Sequence, residues 1–89
     1  METAKLHGQL DDGLFQAERL LTFTDCTGKE VAVVVPASRL TPTGEHRGTI
    51  TVRLLGSKGD LWLVELPGEV HGAGREVTVR GSQLQEAPA

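Results

Sequence analysis

Apolar and polar residues alternate most regularly between residues 49 and 66, and this alternation predicts a β-hairpin. The apolar positions of the first strand are Ile50, Val52 and Leu54. The tip is Ser57-Lys58-Gly59-Asp60, and the return strand is Leu61 to Leu66. One face of the return strand carries Trp62, Val64 and Leu66, and the other carries Leu61 and Leu63. Both faces of this strand are therefore apolar.

Shorter β-rich segments predict the remaining strands of an all-β domain. These strands are residues 14–24, Glu30 to Val35, and a last strand around Val77 and Val79. Residues 25–28 are typical of a hairpin loop, and residues 36–40 of a single 3₁₀ turn that returns Leu40 to the core. About five strands at this spacing predict a small SH3-like barrel. Another small Greek-key barrel or an open sandwich is the alternative.

The length of the chain, 89 residues, leaves room for one hydrophobic core. We expect residues 14–84 to form a single small β-barrel domain. Residues 1–13 alternate less regularly, and Gly8 weakens the pattern, so we expect an N-terminal arm or an edge strand there. We expect residues 85–89 to form a loose C-terminal tail.

One internal similarity joins two distant segments. Residues 33–40 align without gaps to residues 77–84 and share two valines, a serine and a leucine. A duplication is one explanation. The other is that each segment is a strand that feeds a tight turn and returns a leucine to the core. The flanking residues do not extend the match, which favours the second explanation.

Composition and charge narrow the classes of function. Hydrophobic residues make up 38% of the chain and charged residues 24%, as in globular rather than disordered proteins. The net charge of -3 argues against tight, non-specific binding to nucleic-acid phosphates. However, Arg53, Arg75 and Arg80 would line one outer face if their strands pair suitably. Weak nucleic-acid binding through these three arginines is therefore our alternative functional hypothesis.

No residue pattern predicts an enzyme, a metal site or a cofactor. Cys26 lies on a predicted hairpin tip and has no histidine near it in the sequence, so it lacks the base that a nucleophile needs. The three histidines, His7, His46 and His71, are not spaced like zinc ligands. The glycine-rich residues 68–74 precede a strand rather than a helix, unlike a phosphate-binding loop. We therefore expect no catalytic, metal-binding or cofactor-binding residue.

Cysteine content and hydropathy predict the compartment. One cysteine cannot form an intramolecular disulfide, and neither a signal peptide nor a bilayer-spanning apolar run is recognisable. We expect a cytoplasmic protein without a membrane partner. The abundance of Arg, Gly, Val and Leu, with no Asn or Tyr, is typical of a bacterial gene of high GC content.

Apolar residues on faces that should be hydrated give the main functional hypothesis. Contiguous exposed apolar residues on a small soluble domain usually mark a protein contact. The predicted interface consists of Leu55, Leu61, Leu63, Leu20 and Val34. We expect a non-enzymatic module that binds another protein, or forms a homo-oligomer, through these residues. The competing explanation is that residues 1–13 fold across this surface and cover it.

Overall fold

Every regular element that the computed structural model describes is a β-strand or a single 3₁₀ turn, so the all-β prediction is confirmed. The structure describes residues 2–12 and 17–85. The strands are β1 (Thr3–Asp12), β2 (Glu18–Thr24), β3 (Glu30–Pro36), β4 (Leu40–Gly44), β5 (Arg47–Lys58), β6 (Leu61–Glu65), β7 (Glu69–His71), β8 (Glu76–Arg80) and β9 (Leu84–Gln85). The 3₁₀ turns are Ala37–Arg39, as predicted, and Gly81–Gln83.

The described strands belong to one curled sheet. Its order is β7-β3-β2-β1-β5-β6-β8, with β4 paired to β5 and β9 paired to β1. The sheet forms an open half-barrel, which is compatible with the small β-barrel that the sequence predicts. β8 lies at one edge of the sheet. There the backbone N–H of Cys26 donates to the carbonyl of Thr78 at 2.9 Å, so β8 contacts the loop after β2.

Alternate residues of the strands form the core inside this sheet. In β3, Val31, Val33 and Val35 are fully buried, while the residues between them are not. The core cluster comprises Leu6, Leu10, Leu21, Phe23, Val31, Val33, Val35, Leu40, Ile50, Val52, Val64, Leu66, Val77 and Val79. Burial of a valine or leucine side chain contributes about 1.5–3 kcal/mol, so this cluster is the main source of stability. Ile50, Val52 and Val64 belong to this cluster, as the predicted alternation of β5 and β6 requires, and Leu54 and Trp62 pack against it, whereas Thr49 is buried against the prediction.

Residues 3–12 form an interior strand, not the N-terminal arm or edge strand that the sequence predicted. β1 pairs with β5 on one side and with β2 and β9 on the other. Gly8 does not weaken the strand but lets its neighbours approach. A Cβ at Gly8 would lie 2.7 Å from Cγ of Leu21 and 2.8 Å from the carbonyl oxygen of Thr22. The glycine is needed because residues of β2 approach β1 closely at this position.

Side-chain hydrogen bonds stabilise the predicted loop between β2 and β3. The Asp25 carboxylate accepts from the hydroxyl of Thr27 at 2.6 Å and from the backbone N–H groups of Thr27 and Lys29 at 2.9 and 3.0 Å. These bonds, the one from the Thr27 side chain above all, hold the pKa of Asp25 below its ordinary value. Gly28 follows with a φ of 87°, in the left-handed region that favours glycine.

The order of elements repeats in the two halves of the chain. The series β1, β2, β3, 3₁₀ turn, β4 has the counterpart β5, β6, β8, 3₁₀ turn, β9. Leu6 of β1 pairs with Ile50 of β5, and each also pairs with a leucine that follows a 3₁₀ turn, Leu84 and Leu40 respectively. An approximate two-fold axis therefore passes through the pair of Leu6 and Ile50.

This repeat extends well beyond the two similar sequence segments. The pairing of Leu21 with Val33 between β2 and β3 matches that of Val64 with Val77 between β6 and β8. The similarity of residues 33–40 to residues 77–84 is thus one part of a repeat that includes every described strand except β7. A structural duplication accounts for it better than two independent turns do.

Candidate functional site

Three exposed leucines on the β5–β6 hairpin form what we call the hairpin patch. They are Leu55, Leu61 and Leu63, with 38%, 39% and 37% of their surface exposed. Leu61 and Leu63 point outward because the alternate residues of β6 point into the core. Leu55 is exposed because the pairing shifts between Leu54 and Gly56, which makes it the extra residue of a β-bulge. The structure thus brings three of the five predicted interface residues together.

No described segment covers the hairpin patch. β1 lies beside β5 within the sheet, and the hydrogen bond from the N–H of Leu54 to the carbonyl of Glu2, at 2.9 Å, marks the end of that pairing. Beyond this bond, β5 pairs with β6 alone as far as Lys58. The hairpin therefore extends past β1, and residues 2–12 do not fold across it.

A shallow depression of about 390 Å³ adjoins the patch. It is lined by Gly56, Ser57, Lys58, Leu61, Leu63 and Thr78. Leucines form its apolar part, and the serine, lysine and threonine add polar groups beside them. An apolar centre with a polar rim is the usual arrangement of a protein interface.

The other two predicted interface residues lie elsewhere. Leu20 of β2 and Val34 of β3 are half-buried and pair with each other across the two strands. In the second half of the chain the same position is occupied by the pair of Leu63 and Thr78. The predicted interface residues are therefore not contiguous. Leu20 and Val34 lie in the first half, and Leu63 lies at the counterpart position in the second half.

Comparison of the halves shows that the fold does not require two of the three leucines of the hairpin patch. Leu61 pairs with Arg80 at the end of β8, and the counterpart of Leu61 is Glu18, which pairs with Pro36 at the end of β3. Leu55 has no counterpart, because it is the extra residue of the bulge. The first half keeps the same strand pairing without these two leucines. They are particular to the second half.

Two of the three arginines predicted to contact nucleic acid share a cleft. Arg53 and Arg75 line a cleft of about 340 Å³ together with Arg39, which sequence reasoning missed, and we call it the arginine cleft. Nη1 of Arg53 lies 3.7 Å from Oε1 of Glu65, and Nη2 of Arg75 donates to the carbonyl of Gly68 at 3.2 Å. Arg80 lines a different hollow, beside Asp25.

A second, larger cleft of about 540 Å³ brings together His7 and His46. Its other lining residues are Gly8, Gln9, Phe23, Thr24, Arg47 and Gln83. His71 lies apart on β7, where its Nε2 is 3.7 Å from Oε1 of Glu69. Within residues 2–12 and 17–85, no three His, Cys, Asp or Glu side chains are grouped as a metal site requires.

Cys26, which the sequence analysis considered as a nucleophile, lies half-buried in the loop between β2 and β3. Its backbone is used structurally, in the hydrogen bond to Thr78. A reactive thiol needs a nearby base or cation that stabilises the thiolate.

Comparisons with known proteins do not assign this site. No protein-family model matches the chain, and no curated protein and no solved structure is significantly similar to it. None of the described residues belongs to a helix that is long and apolar enough to span a membrane. The functional argument therefore rests on the surfaces of the molecule alone.

Proposed function

We propose that this protein is a non-enzymatic interaction module that binds a protein surface, either a second copy of itself or another protein, through the hairpin patch. The observation that supports the proposal is the uncovered Leu55, Leu61 and Leu63 on a hairpin that extends past β1. The other half of the fold carries Glu18 where Leu61 stands and has no residue at the place of Leu55, so packing of the fold does not explain these two leucines.

The size of the patch points to a contact of modest affinity. Apolar surface contributes about 25 cal/mol for each Å² removed from water, and each of the three leucines is already more than half buried. Stable interfaces bury about 800 Å² on each partner, so the leucines would form the apolar centre of a larger contact. Lys58, Ser57 and Thr78 lie around the depression and would belong to its polar rim.

Analytical ultracentrifugation of the wild type over a wide concentration range tests self-association. If the partner is a second copy, the apparent mass rises with concentration, and the double variant L61S/L63S shifts the dissociation constant upward by at least tenfold. The matched control is L20S, because Leu20 is the counterpart of Leu63 in the other half. We expect L20S to associate like the wild type.

If the wild type stays monomeric, the partner is another protein. Cross-linking in the source cell, with the wild type and L61S/L63S as parallel baits, then identifies chains that only the wild type retains. The proposal fails if the wild type is monomeric and no chain distinguishes the two baits. A binding partner lost equally with L20S would instead extend the interface to Leu20 and Val34.

Weak nucleic-acid binding is the second candidate, supported by the position of Arg53 and Arg75 on one cleft. Against it, Phe23 is buried and Trp62 packs against the core, so neither aromatic ring of the described residues offers a free stacking surface. This function requires that an oligonucleotide binds at low salt and is released steeply as salt is added. The cytoplasm is the compartment we propose for either function, because the chain has a single cysteine.

A further inference from the structure

The two clefts occupy counterpart positions in the two halves of the chain. Arg53 of the arginine cleft pairs with Glu65, and its counterpart Gln9 pairs with Thr22. Arg39 is the last residue of the first 3₁₀ turn, and Gln83 is the last residue of the second. Each half of the fold therefore forms a cleft at the same position.

Arg39 and Gln83 differ in their structural use. The Nε2 of Gln83 donates to the carbonyl of Thr24 at 2.7 Å, and its Oε1 accepts from the backbone N–H of Arg80 at 2.8 Å. These bonds close the second 3₁₀ turn. The residue before the first 3₁₀ turn is Pro36, which has no backbone N–H, and an arginine side chain has no acceptor, so Arg39 does not perform this task. Arg39 is exposed and is one of the residues that line the cleft.

The arginine cleft concentrates positive charge on an acidic protein. Three arginines and one acidic residue, Glu65, line it, whereas the whole chain has a net charge of -3. The salt bridge between Arg53 and Glu65 neutralises one of these charges in part, since both side chains remain partly exposed. Arg39 and Arg75 bring an excess of positive charge. A group of cationic side chains like this favours an anionic ligand.

The position of Arg75 is fixed by the backbone. Its Nη2 donates to the carbonyl of Gly68, which leaves other guanidinium N–H groups for a ligand. Gly68 itself has a φ of 74° and packs so closely on β3 that a Cβ there would lie 2.3 Å from the carbonyl oxygen of Val34. The carbonyl that orients Arg75 is therefore held by a turn that requires glycine. Such preorganisation reduces the entropy lost when a ligand binds.

We propose that the arginine cleft binds a small phosphate-bearing anion. Guanidinium groups match the oxygens of a phosphate through paired, charge-assisted hydrogen bonds, and the Thr51 hydroxyl in the lining adds a neutral donor. The volume of about 340 Å³ is that of a small-molecule site. No aromatic side chain lines it, so the bases of a nucleic acid would find no stacking partner there. A phosphorylated small molecule is therefore favoured over a strand.

Titration of the ¹⁵N-labelled full chain with inorganic phosphate and with pyrophosphate in low-salt buffer tests this proposal. We expect saturable shifts of the amide resonances of Thr51 and Gly68, with pyrophosphate bound more tightly than phosphate. Arg39→Gln gives the arginine cleft the residue that its counterpart carries, and we expect a loss of about tenfold in affinity, as for one charge-assisted contact. Arg47→Gln, in the lining of the other cleft, is the matched control and should bind like the wild type.

Three results would overturn the proposal. The first is the absence of saturable shifts with either anion up to tens of millimolar. The second is an equal loss of affinity in Arg39→Gln and Arg47→Gln, which would show attraction by overall charge. The third is tight binding of a single-stranded oligonucleotide without binding of pyrophosphate, which assigns the cleft to nucleic acid. The L61S/L63S variant should keep its affinity for pyrophosphate, so the cleft and the hairpin patch are tested independently.

Discussion

Replacement of Gly68 by alanine tests how closely the loop before β7 packs on β3. The φ of 74° at this position costs an alanine about 1 kcal/mol. A Cβ would also lie 2.3 Å from the carbonyl oxygen of Val34 and 3.0 Å from Cγ1 of Val35. Atoms do not approach a backbone oxygen so closely, so the loop must move away from β3. The movement weakens the β3–β7 pairing and disturbs the packing of a buried valine.

We expect Gly68→Ala to lower the free energy of unfolding by roughly 3–4 kcal/mol. This figure combines the backbone strain with the loss of packing and of hydrogen bonding. A domain of this class has about 5–15 kcal/mol of stability in all, so the effect is large. Gly59→Ala is the matched control. Gly59 has a φ of 61°, but a Cβ there meets nothing within 4 Å. In the control, only backbone strain is added, so its free energy of unfolding should fall by about 1 kcal/mol.

Urea unfolding followed by the fluorescence of Trp62 measures both variants on the same scale. Trp62 is half-buried and packs against the core, so its emission reports on unfolding of the whole domain. The difference in the free energy of unfolding between the two variants measures what the close approach of residue 68 to β3 costs an alanine. If Gly68→Ala and Gly59→Ala lose the same stability within about 0.5 kcal/mol, the contact between the loop and β3 is looser than described and the reasoning is refuted.

Two further predictions concern the loop between β2 and β3 and the second 3₁₀ turn. Because the pKa of Asp25 is lowered in the folded state, its contribution to stability is complete above the unfolded pKa and is lost as the pH falls below about 4. Asp25→Ala should therefore flatten the acid limb of the stability–pH curve, and an unchanged limb would contradict this. Gln83→Ala removes two hydrogen bonds and should lower stability by about 1–2 kcal/mol, with faster amide exchange at Arg80. Unchanged exchange there would count against the capping role.

Local patterns were sufficient to predict the hairpin and its two faces. The alternation from residue 49 to residue 66 predicted which side chains of β6 are buried and which are exposed, because a strand has a period of two wherever it lies in a sheet. The 3₁₀ turn before Leu40 was also predicted correctly, since Pro36 ends a strand and the turn is local. The leucines of the hairpin patch followed from the same periodicity.

The place of β1 was not predictable, because it depends on pairing between distant residues. Gly8 suggested a weak strand, yet it pairs with Gly48 inside the sheet. Both glycines are needed for close packing: a Cβ at Gly48 would lie 2.8 Å from Cδ1 of Leu10. Alternation indicates that a segment is a strand, but it does not indicate how many neighbours the strand has.

The arginine cleft was also missed in part, for the same reason. Arg53 and Arg75 were chosen from strands expected to share a face, whereas Arg39 lies on a 3₁₀ turn that the sequence linked only to the core. One available signal was the similarity of residues 33–40 to residues 77–84. Taken as a duplication, it aligns Arg39 with Gln83, but it does not place either residue beside β1 or β5, because that position depends on pairing between distant strands.

The interior position of β1 has a consequence for synthesis of the protein. β1 leaves the ribosome before β5 and pairs with it along most of its length, and β5 is made only after three intervening strands and a turn. Until then its β5 side has no partner, and an unpaired strand edge is an opportunity for aggregation. Nascent chains stalled before Arg47 should therefore need a chaperone that chains stalled well beyond Lys58 do not.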